Sequence, residues 1–217
     1  MASVSDTIFT IVRHGQTDAN AQGVLQGQTD TPLGETGRAQ ARAAAQRLKH
    51  EKFDLFYSSD LSRALETAQI IGKTIGMDPV PLPELREWRL GDLEGRPHTE
   101  LRVRYPDIIR SFHHDRVDDI PVPGGESRNE FFTRITSCLC RLRDQHPGAR
   151  ILLVSHGGVL RAIYRQIAGV IGEGRLVPGM TNAGISRFCS REGSWQMLTW
   201  NETTHLEQIG HNESCVF

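Results

Sequence analysis

The chain has 217 residues, of which 38% are hydrophobic and 24% are charged. This balance is typical of a globular protein with one sizeable core, and it excludes disordered, collagen-like and coiled-coil chains. The formal net charge of −1 argues against nucleic acid or an anionic membrane as a partner, so any phosphate affinity must be local.

Three short apolar runs, each followed by polar residues, predict strands. They cover residues 8–12, 53–57 and 151–154. The runs show little alternation, which is typical of parallel strands buried on both faces by helices.

Helical periodicity follows or precedes these strands and predicts helices at residues 36–48, 64–75, 127–142 and 159–167. A capping box of Ser127 with Glu130 would begin the third helix. The second helix is expected to be capped at its start by Ser58, Ser59 or Asp60. The fourth helix is expected to end at Gly169 or Gly172.

Two segments differ from this alternation. Residues 88–126 are polar and bear prolines, which predicts an insertion or lid over a site. Residues 183–188 and 195–200 predict two edge strands joined as a hairpin. The fold expected is therefore a three-layer α/β domain spanning residues 1–217, with a mostly parallel central sheet covered by helices and a C-terminal antiparallel edge hairpin. An exposed edge strand would allow a homodimer.

The cysteines and the N-terminal residues indicate the cellular compartment of the protein. Four scattered cysteines, Cys138, Cys140, Cys189 and Cys215, form neither a disulfide framework nor a zinc motif, so we expect reduced thiols and no metal. No segment is apolar enough to cross a bilayer or to act as a signal peptide. We therefore expect a cytoplasmic protein.

Candidate functional residues follow the predicted strands. Ligands of open α/β sheets bind at the carboxyl ends of the strands, which places Arg13, His14, Arg63 and His156 at one edge if the three strands are neighbours. Guanidinium groups bind phosphate oxygens in pairs, and a neutral imidazole among them is a competent nucleophile toward phosphorus. The leaving oxygen then needs an acid, and spacing alone cannot choose among Glu84, Glu87, Asp92 and Glu94.

These residues carry a resemblance to a known family. The segment Val12–Asn20 resembles the Arg-His-Gly signature of the histidine phosphatase, or phosphoglycerate-mutase-like, superfamily. Further blocks of that family follow in order over about residues 7–170: 25–27, 32–37, 57–64, 85–87 and 154–158.

The resemblance implies roles, residue by residue. His14 is implied as the phosphorylated nucleophile and Glu87 as the proton donor, without metal or cofactor. The resemblance implies that the phosphate pocket is formed by Arg13, Arg63 and His156. It also implies auxiliary phosphate or substrate contacts at Asn20, Gln26, Gly27 and Gly157.

The resemblance leaves two activities open. Phosphoglycerate mutases carry a Trp-Arg-Arg-Ser-Tyr-like segment that holds the substrate carboxylate, and residues 109–116 here lack the paired arginines. We therefore favour hydrolysis of a small phosphomonoester, with the mutase reaction as the alternative. Residues 120–127 and 155–164 are similar to metal-independent phosphoserine phosphatases, whose C-terminal segment adds His205 as a substrate contact. A binding module without turnover is a further alternative, which the complete set of core residues disfavours.

Overall fold

The computed structural model describes residues 6–113, 121–168, 178–191 and 193–209. Its strands are β1 (Thr7–Arg13), β2 (Val24–Leu25), β3 (Leu55–Ser58), β4 (Val80–Pro81), β5 (Arg96–Pro97), β6 (Arg150–Ser155), β7 (Ile185–Arg191) and β8 (Ser194–Glu202). Its helices are α1 (Asp18–Ala21), α2 (Glu35–Leu48), α3 (Ser62–Ile75), α4 (His98–Arg104), α5 (Pro106–His113), α6 (Arg128–Gln145) and α7 (Gly157–Ala168).

The central sheet has six strands in the order β4, β3, β6, β1, β7, β8. The pairs β4 with β3, β3 with β6 and β6 with β1 are parallel, whereas β7 is antiparallel to both β1 and β8. The three apolar runs of the sequence are β1, β3 and β6, and they are neighbours, as predicted.

Successive residues of the central strands enter two different cores. Phe9 and Ile11 of β1 pack in the core that includes α6 and α7, whereas Val12 packs in the core that includes α2 and α3. In β6, Leu153 and Val154 divide in the same way. Helices therefore cover both faces of the sheet, and this confirms the three-layer architecture.

The C-terminal hairpin is present, with one correction. β7 pairs with β1 on one side and with β8 on the other, so of the two hairpin strands only β8 lies at an edge of the sheet. The prediction of two edge strands is wrong for β7, because β7 pairs with β1 and so extends the central sheet. Residue 192 of the predicted turn lies outside the described residues.

The helix starts test the predicted caps. The capping box of Ser127 and Glu130 is formed at the start of α6, as predicted. The N-cap of α3 is Leu61, which provides no side-chain cap, so the expected cap by Ser58, Ser59 or Asp60 is wrong. The carboxylate of Asp30 accepts from the Ser62 amide at 2.7 Å instead, a contact that depends on tertiary structure. Gly169 and Gly172 lie outside the described residues.

The segment at residues 88–126 contains short elements. β5 pairs with β2 in a small antiparallel sheet, and α4 and α5 place Leu101 and Phe112 in the core. Residues 114–120 of the predicted lid lie outside the described part of the chain. Over the described ranges, no helix is long and apolar enough to span a bilayer.

The cysteines within the described ranges are free thiols: Cys138, Cys140 and Cys189. Burial raises the pKa of Cys138 to about 11, so this residue is a structural side chain in α6. Cys215 lies outside the described residues.

The backbone of α2 packs closely against the turn after β1. We therefore expect protein stability to be sensitive to substitution of a glycine at this contact. A Cβ at Gly37 would overlap the backbone of Gln16, and one at Gly15 would overlap the carbonyl of Gly37. Alanine normally favours a helix over glycine by about 1 kcal/mol, but backbone on both sides cannot give way here. We expect Gly37→Ala to lower the free energy of unfolding by about 1–3 kcal/mol in denaturant titrations.

The matched control for this substitution is Thr36→Ala, at an exposed position of the same helix. It should change the free energy of unfolding by less than about 0.5 kcal/mol. A Gly37→Ala protein as stable as the wild type would contradict the close approach.

Candidate active site

The carboxyl ends of β1, β3 and β6 meet at one edge of the sheet and bring four predicted residues together. Arg13 ends β1 and His14 follows it, while His156 follows β6 and the ring centroids of the two histidines are 5.1 Å apart. Arg63 lies in the first turn of α3 and, with Arg13, acts electrostatically on both imidazoles. The predicted cluster of two imidazoles and two guanidiniums is therefore present.

His14 is held as a neutral imidazole with a defined free nitrogen. Its Nδ1 lies 2.7 Å from the carbonyl oxygen of Gly15. Because a carbonyl only accepts, Nδ1 carries the proton and Nε2 keeps its lone pair. Burial, followed by the charges of Arg63 and Arg13, holds the pKa of His14 well below its ordinary value. The Nε2 atom is therefore available as a nucleophile at neutral pH.

The backbone around His14 is fixed by contacts from three other segments. The His14 amide donates to the Ser155 carbonyl at 2.8 Å, and Asn182 Nδ2 donates to the His14 carbonyl at 3.0 Å. The Gly15 amide donates to Thr67 Oγ1 at 3.1 Å. Sequence reasoning missed Thr67 and Asn182, because neither belongs to a strand-end motif.

The two arginines are buried cations held by backbone carbonyls. Arg63 is 1% exposed and donates to the carbonyls of Thr29 at 2.9 Å and Gly27 at 2.7 Å. Arg13 donates to the Met180 carbonyl. Burial lowers the pKa of Arg13 to about 10, which leaves the side chain protonated at neutral pH. Both guanidiniums are therefore fixed before a ligand binds.

His156 lies beneath the pocket surface rather than in its lining, because it is completely buried. Its Nε2 lies 2.8 Å from Ser59 Oγ, and its Nδ1 has no hydrogen-bond partner among the described residues. Burial first, and then the charge of Arg63, hold its pKa well below the ordinary value. His156 is thus a buried, neutral imidazole packed beneath His14, with one ring nitrogen held by Ser59.

Glu87 is the acidic residue that the structure brings to the pocket. Its carboxylate accepts from the Trp88 amide at 2.9 Å and from the Gly158 amide, in the first turn of α7, at 3.0 Å. The other three candidate acids do not line the pocket. Glu84 pairs with Arg141 at 2.8 Å, and Glu94 accepts from the Leu90 amide at 2.8 Å.

Four residues predicted as auxiliary contacts also line the pocket: Asn20, Gln26, Gly27 and Gly157. The side-chain oxygen of Asn20 accepts from the Thr17 amide at 3.1 Å, and that of Gln26 accepts from the Thr31 hydroxyl; both oxygens also lie 3.0 Å from Thr17 Oγ1. This leaves the NH₂ groups of both amides as donors. Gly157 begins α7, whose N-terminal amides favour an anion.

The structure does not place His205 in the lining of this pocket. It lies in the 3₁₀ turn Thr204–Leu206 after β8, where its Nε2 is 3.0 Å from the carbonyl oxygen of Ala183. Leu206 packs in the core with α2 and α3. The chain after β8 therefore carries His205 to the α2 side of the sheet.

The pocket wall contains residues that sequence reasoning did not select. It encloses about 840 Å³, its solvent-open mouth included. The added lining is partly aromatic and partly cationic, and its side chains include Trp88, His98, Phe112, Arg128, Phe131, Phe132, Arg161 and Arg165. Arg161 and Arg165 follow Gly157 at intervals of four residues on one helix face, but this spacing alone does not place them in a pocket.

The lowered pKa values of the two buried histidines predict a pH dependence of stability. Below about pH 6.5, the unfolded chain takes up protons at His14 and His156 while the folded chain does not. The free energy of unfolding should therefore fall with decreasing pH by up to about 1.4 kcal/mol per unit for each histidine, and recover above about pH 6.5.

Denaturant titrations of wild type and His156→Gln at several pH values between 5 and 8 would measure this effect. The wild type should lose more stability on acidification than the variant, which lacks one of the two groups. Parallel pH profiles would contradict the assignment of His156 as a buried neutral imidazole.

Comparisons with known proteins agree with this geometry. A family model described as histidine phosphatase superfamily (branch 1) matches residues 9–203. Phosphoglycerate mutase-like protein 4 of Arabidopsis thaliana is 39% identical over 210 residues, which cover 95% of this chain and 90% of the relative. The metal-independent phosphoserine phosphatase of the same plant is 37% identical over 207 residues, covering 94% and 85%.

A solved structure gives the same result at the level of the fold. A mycobacterial glucosyl-3-phosphoglycerate phosphatase matches with a TM-score of 0.82 and 32% identity, covering 90% of this chain and 99% of that one. In the described ranges, no group of three or more histidine, cysteine or acidic side chains could hold a metal ion.

Proposed function

Because this chain belongs to the histidine phosphatase superfamily, branch 1, we propose that it hydrolyses small phosphomonoesters through a phosphohistidine, without a metal ion. The substrates are phosphoserine-like compounds or phosphorylated metabolites. The observation that carries this proposal is the His14 imidazole, which is buried, neutral and hydrogen-bonded through Nδ1, beside two fixed arginines and one carboxyl group.

In the first step, His14 Nε2 attacks phosphorus and a nitrogen–phosphorus bond forms as the bond to the ester oxygen breaks. Glu87 gives a proton to the departing oxygen, so that an alcohol leaves. Arg13 and Arg63 stabilise the charge on the phosphoryl oxygens, the role that metal ions have in many other phosphoryl transfer enzymes. The N-terminal amides of α7 add to this positive potential.

In the second step, water attacks phosphorus from the side that the alcohol has left. The Glu87 carboxylate takes a proton from the water, the nitrogen–phosphorus bond breaks, and its electron pair returns to His14 Nε2. Inorganic phosphate is released. Glu87 is again protonated and His14 is again neutral, so one cycle restores the starting state.

The names of the relatives support a phosphatase, but they differ in substrate. One relative is a phosphoserine phosphatase and one solved structure is a glucosyl-3-phosphoglycerate phosphatase, whereas several bacterial relatives are described as probable phosphoglycerate mutases. The mutase reaction is thus the alternative to test. It requires a rebound phosphoglycerate, instead of water, to take the phosphoryl group.

An assay in the presence of a chelator, with phosphoserine and 3-phosphoglycerate in parallel, tests the proposal. Release of inorganic phosphate, fastest from a phosphoserine-like substrate, is the expected result. Formation of 2-phosphoglycerate without phosphate release would establish the mutase instead. Loss of all activity on chelation, restored by Mg²⁺, would overturn the metal-independent mechanism.

A further inference from the structure

One side chain of α6 holds the backbone of the segment that carries Glu87. Arg134 Nη1 donates to the carbonyl oxygens of Glu84 at 2.8 Å and Arg86 at 2.9 Å. Its Nη2 donates to the carbonyl oxygen of Glu87 at 3.2 Å. Arg86 and Glu87 belong to no helix or strand, so their carbonyls need partners outside regular secondary structure. Arg134 supplies these partners.

Two further side chains fix the same stretch of backbone. Ser155 Oγ, at the end of β6, donates to the Leu85 carbonyl at 2.7 Å. Gln28 Nε2 donates to the Glu87 carbonyl at 3.0 Å, so that oxygen accepts two hydrogen bonds, the number that its lone pairs allow. Four consecutive carbonyls therefore have side-chain donors, and Arg134 provides the donor for three of them.

Arg134 is itself held in one orientation. Its guanidinium pairs with the Glu126 carboxylate, at 2.5 Å from Nη2 to Oε1 and 3.2 Å from Nε to Oε2, which is the forked arrangement of arginine with a carboxylate. It also lies 5.1 Å from the ring centroid of Phe131. The side chains of Arg134 and Glu126 are 21% and 12% exposed, so water competes little for these hydrogen bonds.

Glu126 extends this support to the residues that follow Glu87. Its carboxylate accepts from the Arg89 amide at 2.9 Å, and its backbone carbonyl accepts from the Trp88 indole at 2.8 Å. Trp88 in turn stacks on Phe131, with ring centroids 5.4 Å apart. The backbone on both sides of Glu87 is therefore fixed by the same ion pair at the start of α6.

We propose that Arg134, paired with Glu126, is the positioning residue of the general acid. It does not line the pocket, and it acts through the Glu87 backbone, which sets where the carboxyl group meets the departing oxygen. A proton is transferred only over hydrogen-bond distance, and a displacement of about 1 Å lowers a rate by about 100-fold. This inference rests on the proposed phosphatase reaction and assigns the residue that keeps its acid in place.

The test uses two substrates that differ in their need for an acid, an alkyl phosphate and p-nitrophenyl phosphate. Within one protein, the ratio of their kcat/KM values cancels any general loss of folded enzyme. Arg134→Gln should lower kcat/KM for the alkyl phosphate by about 10–100-fold more than for p-nitrophenyl phosphate, because p-nitrophenolate leaves without a proton. An equal loss on both substrates would show a purely structural role and overturn the proposal.

Two further variants make the result specific. Arg141 also lies on α6 and also reaches this segment, but it donates to the Glu84 carboxylate at 2.8 Å instead of to the backbone. Arg141→Gln should therefore leave the ratio unchanged. Arg134→Lys should restore part of the ratio, because an ammonium group donates hydrogen bonds but lacks the planar fork. A lysine variant with the same ratio as Arg134→Gln would contradict a role for the donated hydrogen bonds.

If Arg134→Gln does not fold, Glu126→Gln carries the test. The carboxamide has the shape of the carboxylate but lacks the charge that orients Arg134, so the ratio should change in the same direction and by less. An unchanged ratio in Glu126→Gln would then overturn the proposal.

The same assay on Glu87→Gln separates this inference from the proposed function. A leaving-group effect in Glu87→Gln that the Arg134 variants lack overturns the positioning role and leaves the proposed reaction intact. An equal loss on both substrates in Glu87→Gln itself overturns the acid role, and the positioning role with it.

Discussion

Replacing His14 by alanine is expected to lower kcat by about 10⁴-fold or more on every phosphomonoester. The reason is that the variant lacks the only nitrogen that the proposed mechanism uses to form a bond to phosphorus. The loss should be the same for good and poor leaving groups. Steady-state assays with p-nitrophenyl phosphate and an alkyl phosphate would measure it.

The control for this variant is His50→Ala, at an exposed position after α2, which should retain full activity. Rapid acid-free quenching of wild type with phosphorus-labelled substrate should also trap a phosphorylated His14 that is absent from His14→Ala. Turnover by His14→Ala at the rate of wild type would refute the mechanism.

Replacing Glu87 by glutamine should give an effect that depends on the leaving group. Hydrolysis of an alkyl phosphate needs a proton on the departing oxygen, so kcat/KM, which reports the steps through formation of the phosphohistidine, should fall by about 10²–10⁴-fold. p-Nitrophenolate leaves without a proton, and the loss on that substrate should be much smaller. An equal loss on both substrates would exclude Glu87 as the acid.

The structure offers a second way to disturb Glu87 without changing it. A Cβ at Gly158 would overlap a carboxylate oxygen of Glu87, and the side chain can move away because it is flexible. Gly158→Ala should therefore fold normally and reproduce the same leaving-group dependence in weaker form. Gln166→Ala, exposed on the same helix, serves as the control and should behave as wild type.

Much of the architecture was predictable because the central strands have strong local signals. β1, β3 and β6 are short, mostly apolar runs with helices over both faces of the sheet, and polar residues mark the edge where the site forms. The resemblance then distinguished Glu87 from the acids around it. In the structure Glu87 alone of these four lines the pocket.

The remainder depended on contacts between distant segments. Asp30 reaches the start of α3, and Thr67 and Asn182 hold the backbone around His14, but no local pattern in the sequence marks these residues. β2, β4 and β5 have two residues each, too short for a periodic signal. Arg161 and Arg165 would ordinarily be interpreted as solvated helix residues, because arginine is mostly exposed in proteins.

The central position of β1 determines when this enzyme can acquire its site during synthesis. β1 emerges first from the ribosome, but its partners are β6 and β7, with Ile8 opposite both Arg150 and Cys189. At about 5–20 residues per second, β1 waits on the order of ten seconds for β6. During that interval its apolar side chains have no sheet to enter. Burial of the β1 side chains therefore requires translation of most of the chain.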